Sequence, residues 1–499
     1  MDMSADKKLS LKQAKAKSVW EFFRQVNRIP RGSKNEKQIM DWLRGLAKSR
    51  NLACRSDDVD NVIIELPATK GYEKSPTIVL QSHVDMVCEE TPESKHDFTK
   101  DPIELVERDD WITADGTTLG ADNGVGVALA LALIGEKISH PKLELLFTVD
   151  EETGLTGANG LKPGFITGKY LINLDGEDKS FIVGCAGGEQ TEIRVPIEFS
   201  PVPDSLACFD LKISGIHGGH SGIDIDKKYA NAIQLLAKTL KGLQNFDLRI
   251  CDIEGGTVHN AIPRDAKAII CFDASKLSAV KKTLSEIEAS FKKEFSATDP
   301  NLKVELEKAD PRPVITIRNP QSDTQRSAEP VSEIINLLTS LPTGVYRMSS
   351  QFEGIVETSS NLAKVELLRN EKQLRILISQ RSLEKQTLGE ITAKITGLAR
   401  SAGANVETVG GYPSWKPDVN SSLLKRAKEI YRKLNNKEPE VKVVHAGLEP
   451  AVIGEKIPGI EMISVGPTIK NPHSPQERVD IASVDAVWEF LIVLISDLK

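Results

Sequence analysis

Residues 142–154 read KLELLFTVDEETG, an apolar run that stops on three adjacent carboxylates, Asp150, Glu151 and Glu152. Two other stretches share the design. TIVLQSHVD (77–85) stops on His83 and Asp85, and KYLINLD (169–175) stops on Asp175. Short apolar runs separated by helical patterns predict a mostly parallel sheet covered on both faces. Such sheets present their chemistry at the carboxyl ends of the strands. The helical stretch ADNGVGVALALALIGE (121–136) opens on Asp122, and His473 lies downstream in NPHSP (471–475). Imidazoles and carboxylates together suit Zn²⁺, Mn²⁺ or Co²⁺. His83, Asp122, Glu152, Asp175 and His473 therefore point to metal-assisted hydrolysis with two ions.

Composition narrows the partners. At 499 residues the chain is too long for one compact core, so two or three domains are expected. Apolar residues make up 40% and charged residues 27%, ordinary for a soluble globular chain. A net charge of −7 argues against nucleic acid, whose footprint is basic. GVGVALALALIG (124–135) is too short to span a bilayer, so no membrane association is expected. MDMSADKKLSLKQAKAKSVW (1–20) has no apolar signal core, so no secretory leader is expected. Cys54, Cys88, Cys185, Cys208, Cys251 and Cys271 form no CxxC pair. They read as reduced thiols of a cytoplasmic protein, not as a disulfide frame or zinc ribbon. No tandem repeat or low-complexity tract stands out.

Helical patterns over 14–29 and 36–50 alternate with the apolar runs. From about residue 190 the character changes. Alternating strands TEIRVPIEF (191–199) and ACFDLKISG (207–215) precede a helix over 230–243 and a strand over 264–272. Helices over 275–294, 329–340 and 383–402, with a strand over 373–379, complete a separate, antiparallel α+β block. Gly410-Gly411-Tyr412-Pro413 reads as a linker turn. Beyond it come a helix (420–434), strands (440–444 and 459–465) and a closing helix (482–498). If His473 is to join the other candidates, this last segment must fold back on the first. The expected class is α/β: a discontinuous catalytic domain (1–189 and 415–499) with a mostly parallel mixed sheet between helices. An inserted α+β lid domain (190–414) interrupts it.

Taken singly, each candidate also has an ordinary reading. Asp85 can fix the tautomer of His83 by accepting its second N–H, or both can be surface residues. Asp122 is placed as a helix N-cap. GADNGVG (120–126) lacks the lysine of a phosphate loop and the GxGxxG spacing, so nucleotide binding is not expected. Adjacent carboxylates at 150–152 either cap a wet loop or sit where a cation neutralises them. In the second case one holds metal while its neighbour takes a proton. Asp175 can belong to a DG turn and His473 to a plain loop. GIHGGHSG (215–222) is a glycine-rich loop approaching a ligand, or a flexible turn to which His217 belongs. Asn260 in HNAIP and Arg381 in SQRS sit at strand ends, and an arginine fork suits a carboxylate.

SHVDM, TLGADNGVGVA, DEETG, NLDGED, GGHSG and NPHSP occur in this order across nearly the whole chain. Together they resemble the aminoacylase/carboxypeptidase-type family of co-catalytic dizinc metallopeptidases. The resemblance implies that His83 and Asp175 hold one ion, Glu152 and His473 the other, and Asp122 bridges both. It makes Asp85 the orienter of His83, Glu151 the general base and acid, and His220 the group that polarises the scissile carbonyl. Asn260 and Arg381 would grip the substrate, and Gly447 and Glu449 of HAGLEP (445–450) would line its terminus. There Pro450 and Ala451 replace the Cys-Gly pair that the resemblance leads one to expect. The implied cofactors are two divalent ions, Zn²⁺ first and Mn²⁺ or Co²⁺ as alternatives, with a water activated between them. The implied substrates are small peptides, dipeptides of the Xaa-His type with broad specificity, met in the cytoplasm. A homodimer paired through the inserted domain is a further expectation. Competing readings are a tripeptidase or an N-acyl amino acid deacylase on the same scaffold, and more remotely a non-catalytic binding protein. The last predicts a missing base or ligand, and none is missing.

Overall fold

The computed structural model describes residues 11, 13–317 and 330–499. The leader reading of residues 1–20 falls largely on residues 1–10 and 12, outside the described residues, as does residue 329 of the helix expected over 329–340. The chain forms two compact units: Met1–Gly184 with Trp415–Val443 and Leu448–Lys499, and Cys185–Ser414 with Val444–Gly447.

The first unit is α/β. Its eight-stranded sheet runs Ala53–Ser56, Val62–Leu66, Leu143–Thr148, Ile78–His83, Tyr170–Asn173, Glu461–Ser464, Phe181–Cys185, Val441–Val444. The four strands from Leu143–Thr148 to Glu461–Ser464 are parallel, and antiparallel strands flank them. Every residue of Leu143–Thr148, Ile78–His83 and Tyr170–Asn173 is buried, as a sheet covered on both faces demands. On one face Val452 and Ile453 of helix Glu449–Lys456 meet Ile63, Val79, Leu146 and Leu171. Helix Ala121–Ala132 packs on strand Ile78–His83 and against helix Lys17–Val26. Glu461–Ser464 pairs in parallel with Tyr170–Asn173, so a late segment completes an early sheet. A small antiparallel sheet joins Ile469–Lys470 and Arg478–Asp480 to Trp111–Ala114 and Leu105–Arg108. That hairpin carries His473.

The second unit is a ten-stranded antiparallel sheet. Helices Ala232–Gly242, Leu277–Glu294, Pro330–Ser340 and Lys385–Ser401 contribute Leu236, Leu284, Leu338 and Ile391 to one apolar core with it. Its long strand Val356–Leu368 escapes the sequence reading because it starts on buried polar residues, Thr358, Ser359, Ser360 and Asn361. No helix among the described residues is long and apolar enough to cross a membrane.

Two expectations are corrected. Gly410–Tyr412 is not a linker: it ends strand Asn405–Tyr412, where Tyr412 pairs with Gly188 across a bulge. The cysteines are not all reduced. Cys208 and Cys271 face each other in register on neighbouring antiparallel strands and form a disulfide, with Cys251 Sγ 3.1 Å from Cys271 Sγ. Sequence spacing carries no trace of that pairing, because strand register creates it.

Candidate metal centre

Strand ends, the first turns of two helices and a hairpin loop bring the five candidates of the α/β unit together. His83, the last residue of its strand, has Nε2 3.2 Å from Asp122 Oδ1 and 3.3 Å from Asp175 Oδ1. The other oxygen of Asp122, Oδ2, lies 3.1 Å from His473 Nε2. His473 Nε2 is also 3.1 Å from Glu152 Oε2. Two sets of three that share Asp122 result, His83–Asp122–Asp175 and Asp122–Glu152–His473, and a further set, His83–Glu151–Glu152, overlaps both. Within each set the ligating atoms lie within 4.8 Å of one another.

Electrostatics tests whether a cation pair fits. Burial and the neighbouring carboxylates of Asp175, Glu152 and Glu449 push Glu151 well above the usual carboxylate range, His83 notwithstanding. Burial and Asp122 push Asp175 up to about 7 against the pull of His83. Burial opposes charge on His473, yet its contacts with Asp122 and Glu152 outweigh that and push it up to about 11. Protons thus fill the role of positive charge among crowded acids. Glu152 Oε1 is buried without any hydrogen-bond partner, an acceptor left over for a ligand. Two imidazoles and three carboxylates, one of them with an orphaned oxygen, match the donor set of borderline divalent ions.

Asp85 organises this set from behind. Its Oδ1 lies 3.2 Å from His83 Nδ1 and accepts the Glu151 N–H at 3.0 Å. Its Oδ2 accepts from Glu152 N–H at 3.2 Å and Ser33 Oγ at 2.8 Å. One carboxylate therefore orients the His83 ring and pins the first turn of the short helix Glu151–Gly154. Asp122 is not the N-cap of its helix: Gly120 is, with φ 65° and no side-chain cap of its own.

Glu449 is held by the buried strands beneath the centre. It lies in the α/β unit and Gly447 in the other, and it is 1% exposed. Its Oε2 accepts from Thr148 Oγ1 at 2.7 Å and from Gln81 Nε2, while Asn173 Nδ2 donates to Gln81 Oε1 at 2.6 Å. A chain of polar groups thus crosses three buried strands, and the other oxygen of Glu449, Oε1, is buried without a hydrogen-bond partner. Burial pushes its carboxyl up to about 7, with Asp175 and Asp85 adding to the effect.

The remaining candidates lie in the antiparallel unit. His220 ends a two-residue strand paired with Ala261–Ile262, just after Asn260. Its Nδ1 accepts the N–H groups of Gly222 and Ile223 at 3.2 and 3.1 Å, so the neutral ring carries its proton on Nε2. His217 is no flexible turn: its ring stacks on Tyr229 at 4.5 Å and its N–H is held by Asp299. Arg381 is buried, donates to Tyr412 Oη at 2.6 Å, and leaves Nε without a partner. A Cβ on Gly447 would sit 2.6 Å from the Tyr412 ring, which is why glycine occupies it. The sequence reading missed Tyr412 and His445. His445 is held by Ser359 Oγ at 2.7 Å, and burial beside Arg381 drives its imidazole down to about 3. Both lie in stretches the sequence reading used for something else, Tyr412 in the supposed linker turn and His445 at the start of HAGLEP.

Comparison with known proteins places this geometry in context. The sequence pattern of peptidase family M20/M25/M40 matches residues 79–497. The cytosol non-specific dipeptidase of Escherichia coli (strain K12) is 37% identical over 491 residues, covering 98% of this chain and 99% of that one. The crystal structure of aminoacylhistidine dipeptidase from Vibrio alginolyticus superposes with a TM-score of 0.85 at 34% identity, covering 98% of both chains. An aminopeptidase PepT from Bacillus cereus, 18% identical over 97% of this chain and 99% of its own, shares the fold with a TM-score of 0.57.

Proposed function

The chain belongs to peptidase family M20/M25/M40 and carries out metal-dependent hydrolysis of peptide bonds, and on that premise we propose that it is a dipeptidase acting on Xaa-His and other short peptides. The observation that carries the reading is the two-sided use of Asp122, whose two oxygens face two different imidazoles. We assign His83 and Asp175 to one ion, Glu152 and His473 to the other, and Asp122 to both. Zn²⁺ is the first choice for the pair, with Mn²⁺ and Co²⁺ as alternatives. The substrate is a small peptide, and the cytosol, for which the Escherichia coli relative is named, is the proposed location.

When bound, the ions polarise the scissile carbonyl and make water a usable nucleophile near neutrality. The chain supplies the rest. Glu151, a carboxyl that burial keeps ready to hold a proton, takes one from the attacking water and passes it to the leaving amine. Asp85 holds His83 in one tautomer. His220 offers an Nε2–H where negative charge develops on the carbonyl oxygen. Asn260, Arg381 and Gly447 position the substrate.

A panel of dipeptides, tripeptides and N-acyl amino acids, offered to chelated protein resupplied with Zn²⁺, Mn²⁺ or Co²⁺, tests the assignment. Dipeptides with C-terminal histidine are expected among the best substrates. Preference for tripeptides or acyl amino acids would move the chain to another activity on the same scaffold.

A further inference from the structure

The helix that carries Asp122 receives its cap from the far end of the chain. Leu119, Gly120, Ala121 and Asp122 turn four consecutive backbone N–H groups to one side, and all four donate to the carboxylate of Glu477. Oε2 accepts from Leu119 at 2.7 Å and Gly120 at 2.8 Å. Oε1 accepts from Ala121 at 2.8 Å and Asp122 at 3.1 Å. Glu477 is 1% exposed. It is itself held: its N–H donates to Ser474 O at 3.0 Å, and Thr113 Oγ1 donates to its carbonyl at 2.8 Å. A carboxylate at the amino end of a helix meets both unpaired N–H groups and a favourable dipole.

Arg31 holds the same turn from the other side. Also 1% exposed, it donates through Nη2 to Gly120 O at 2.6 Å and through Nη1 to Val84 O at 2.9 Å and Asp85 O at 3.2 Å. The Gly120 residue is thus gripped by its N–H through Glu477 and by its C=O through Arg31. The guanidinium also ties this turn to the segment just past His83. Glycines make the room: a Cβ on Gly124 would lie 2.6 Å from Arg31 Nη2, and one on Gly120 would lie 2.9 Å from Met86 Sδ and closer still to Arg31.

We propose that Glu477 and Arg31 are positioning residues for the metal pair, a bracket that sets Asp122 against His83 and His473 before any cation arrives. Glu477 follows His473 by four residues in the same hairpin, so one side chain references both halves of the centre to each other. The proposal rests on the dinuclear reading of the site. Outer partners of this kind affect metal affinity by about 10–100-fold when removed.

Co²⁺ titration of the chelated full-length protein, read by absorption spectrum and calorimetry, tests it beside the melting temperature of the metal-free form. Glu477→Gln keeps the shape but turns an amide NH₂ toward two backbone donors. Metal affinity should fall by about 10–100-fold, with an altered Co²⁺ spectrum and a loss in kcat that exceeds any change in KM. Glu477→Asp, shorter by one methylene, should fall between the two, and Arg31→Lys, which loses the fork, should reproduce the affinity loss. If Glu477→Gln does not fold, the Asp and Lys variants decide by the same readouts. Variants that melt lower yet keep the parent's Co²⁺ affinity, spectrum and kcat would overturn the proposal and leave Glu477 a purely structural cap. A parent protein that takes up only one ion would instead overturn the dinuclear reading.

Discussion

His473 Nε2 stands 3.1 Å from Asp122 Oδ2 although 351 residues separate them in the chain. The contact exists because Arg478–Asp480 pairs with Trp111–Ala114, which brings the 471–475 loop to the start of the Asp122 helix. His473 also has a positive φ of 56°, a backbone state that the surrounding hairpin must hold in place. His473→Ala should therefore remove one ion and spare the other. Metal analysis after dialysis is expected to fall from about two ions per chain to about one, with the far-ultraviolet circular dichroism unchanged.

Glu151 is assigned to proton transfer and not to metal holding. Glu151→Gln should keep both ions and the fold while kcat falls at least about 100-fold. Turnover near the parental rate would remove Glu151 from the mechanism.

The sheet strands that end at His83, Thr148 and Asn173 were legible because burial on both faces demands largely apolar runs, and the candidate ligands His83, Glu152 and Asp175 stand at their ends or shortly after them. Asp122 and His473 were legible only through their motifs, since neither follows a strand of that kind. What stayed hidden has a common cause. Arg31, Glu477 and the polar start of Val356–Leu368 are charged or polar residues that read as solvated until their partners, distant in sequence, are known. The Cys208–Cys271 pair depends on strand register in the same way.

His220 accepts two backbone N–H groups at Nδ1, which leaves Nε2–H as its donor. His220→Ala should lower kcat by roughly 10²–10³-fold, in line with the loss of an oxyanion donor, with metal content unchanged. A kcat equal to the parent's would make the histidine structural.

Glu449 ties pH to the stability of the metal-free protein. Its folded-state value of about 7 lies above the ordinary 4.5, so its contribution is fully present below 4.5 and is lost as pH rises through 7. Glu449→Gln mimics the protonated acid toward Thr148 and Gln81. The metal-free variant should lose less unfolding free energy than the parent between about pH 5 and 8, a difference on the order of 1–3 kcal/mol. Parallel pH profiles would show that Glu449 stays ionised.

The assignment has two cations share Asp122, and Zn²⁺ stoichiometry and dipeptide turnover of Asp122→Asn, measured on the same chelated and reloaded samples, test that sharing. About two ions per chain are expected in the parent. In the variant both sites should weaken together, with turnover lost. A variant that still binds two ions as tightly as the parent, or that loses one site and leaves the other untouched, would contradict it.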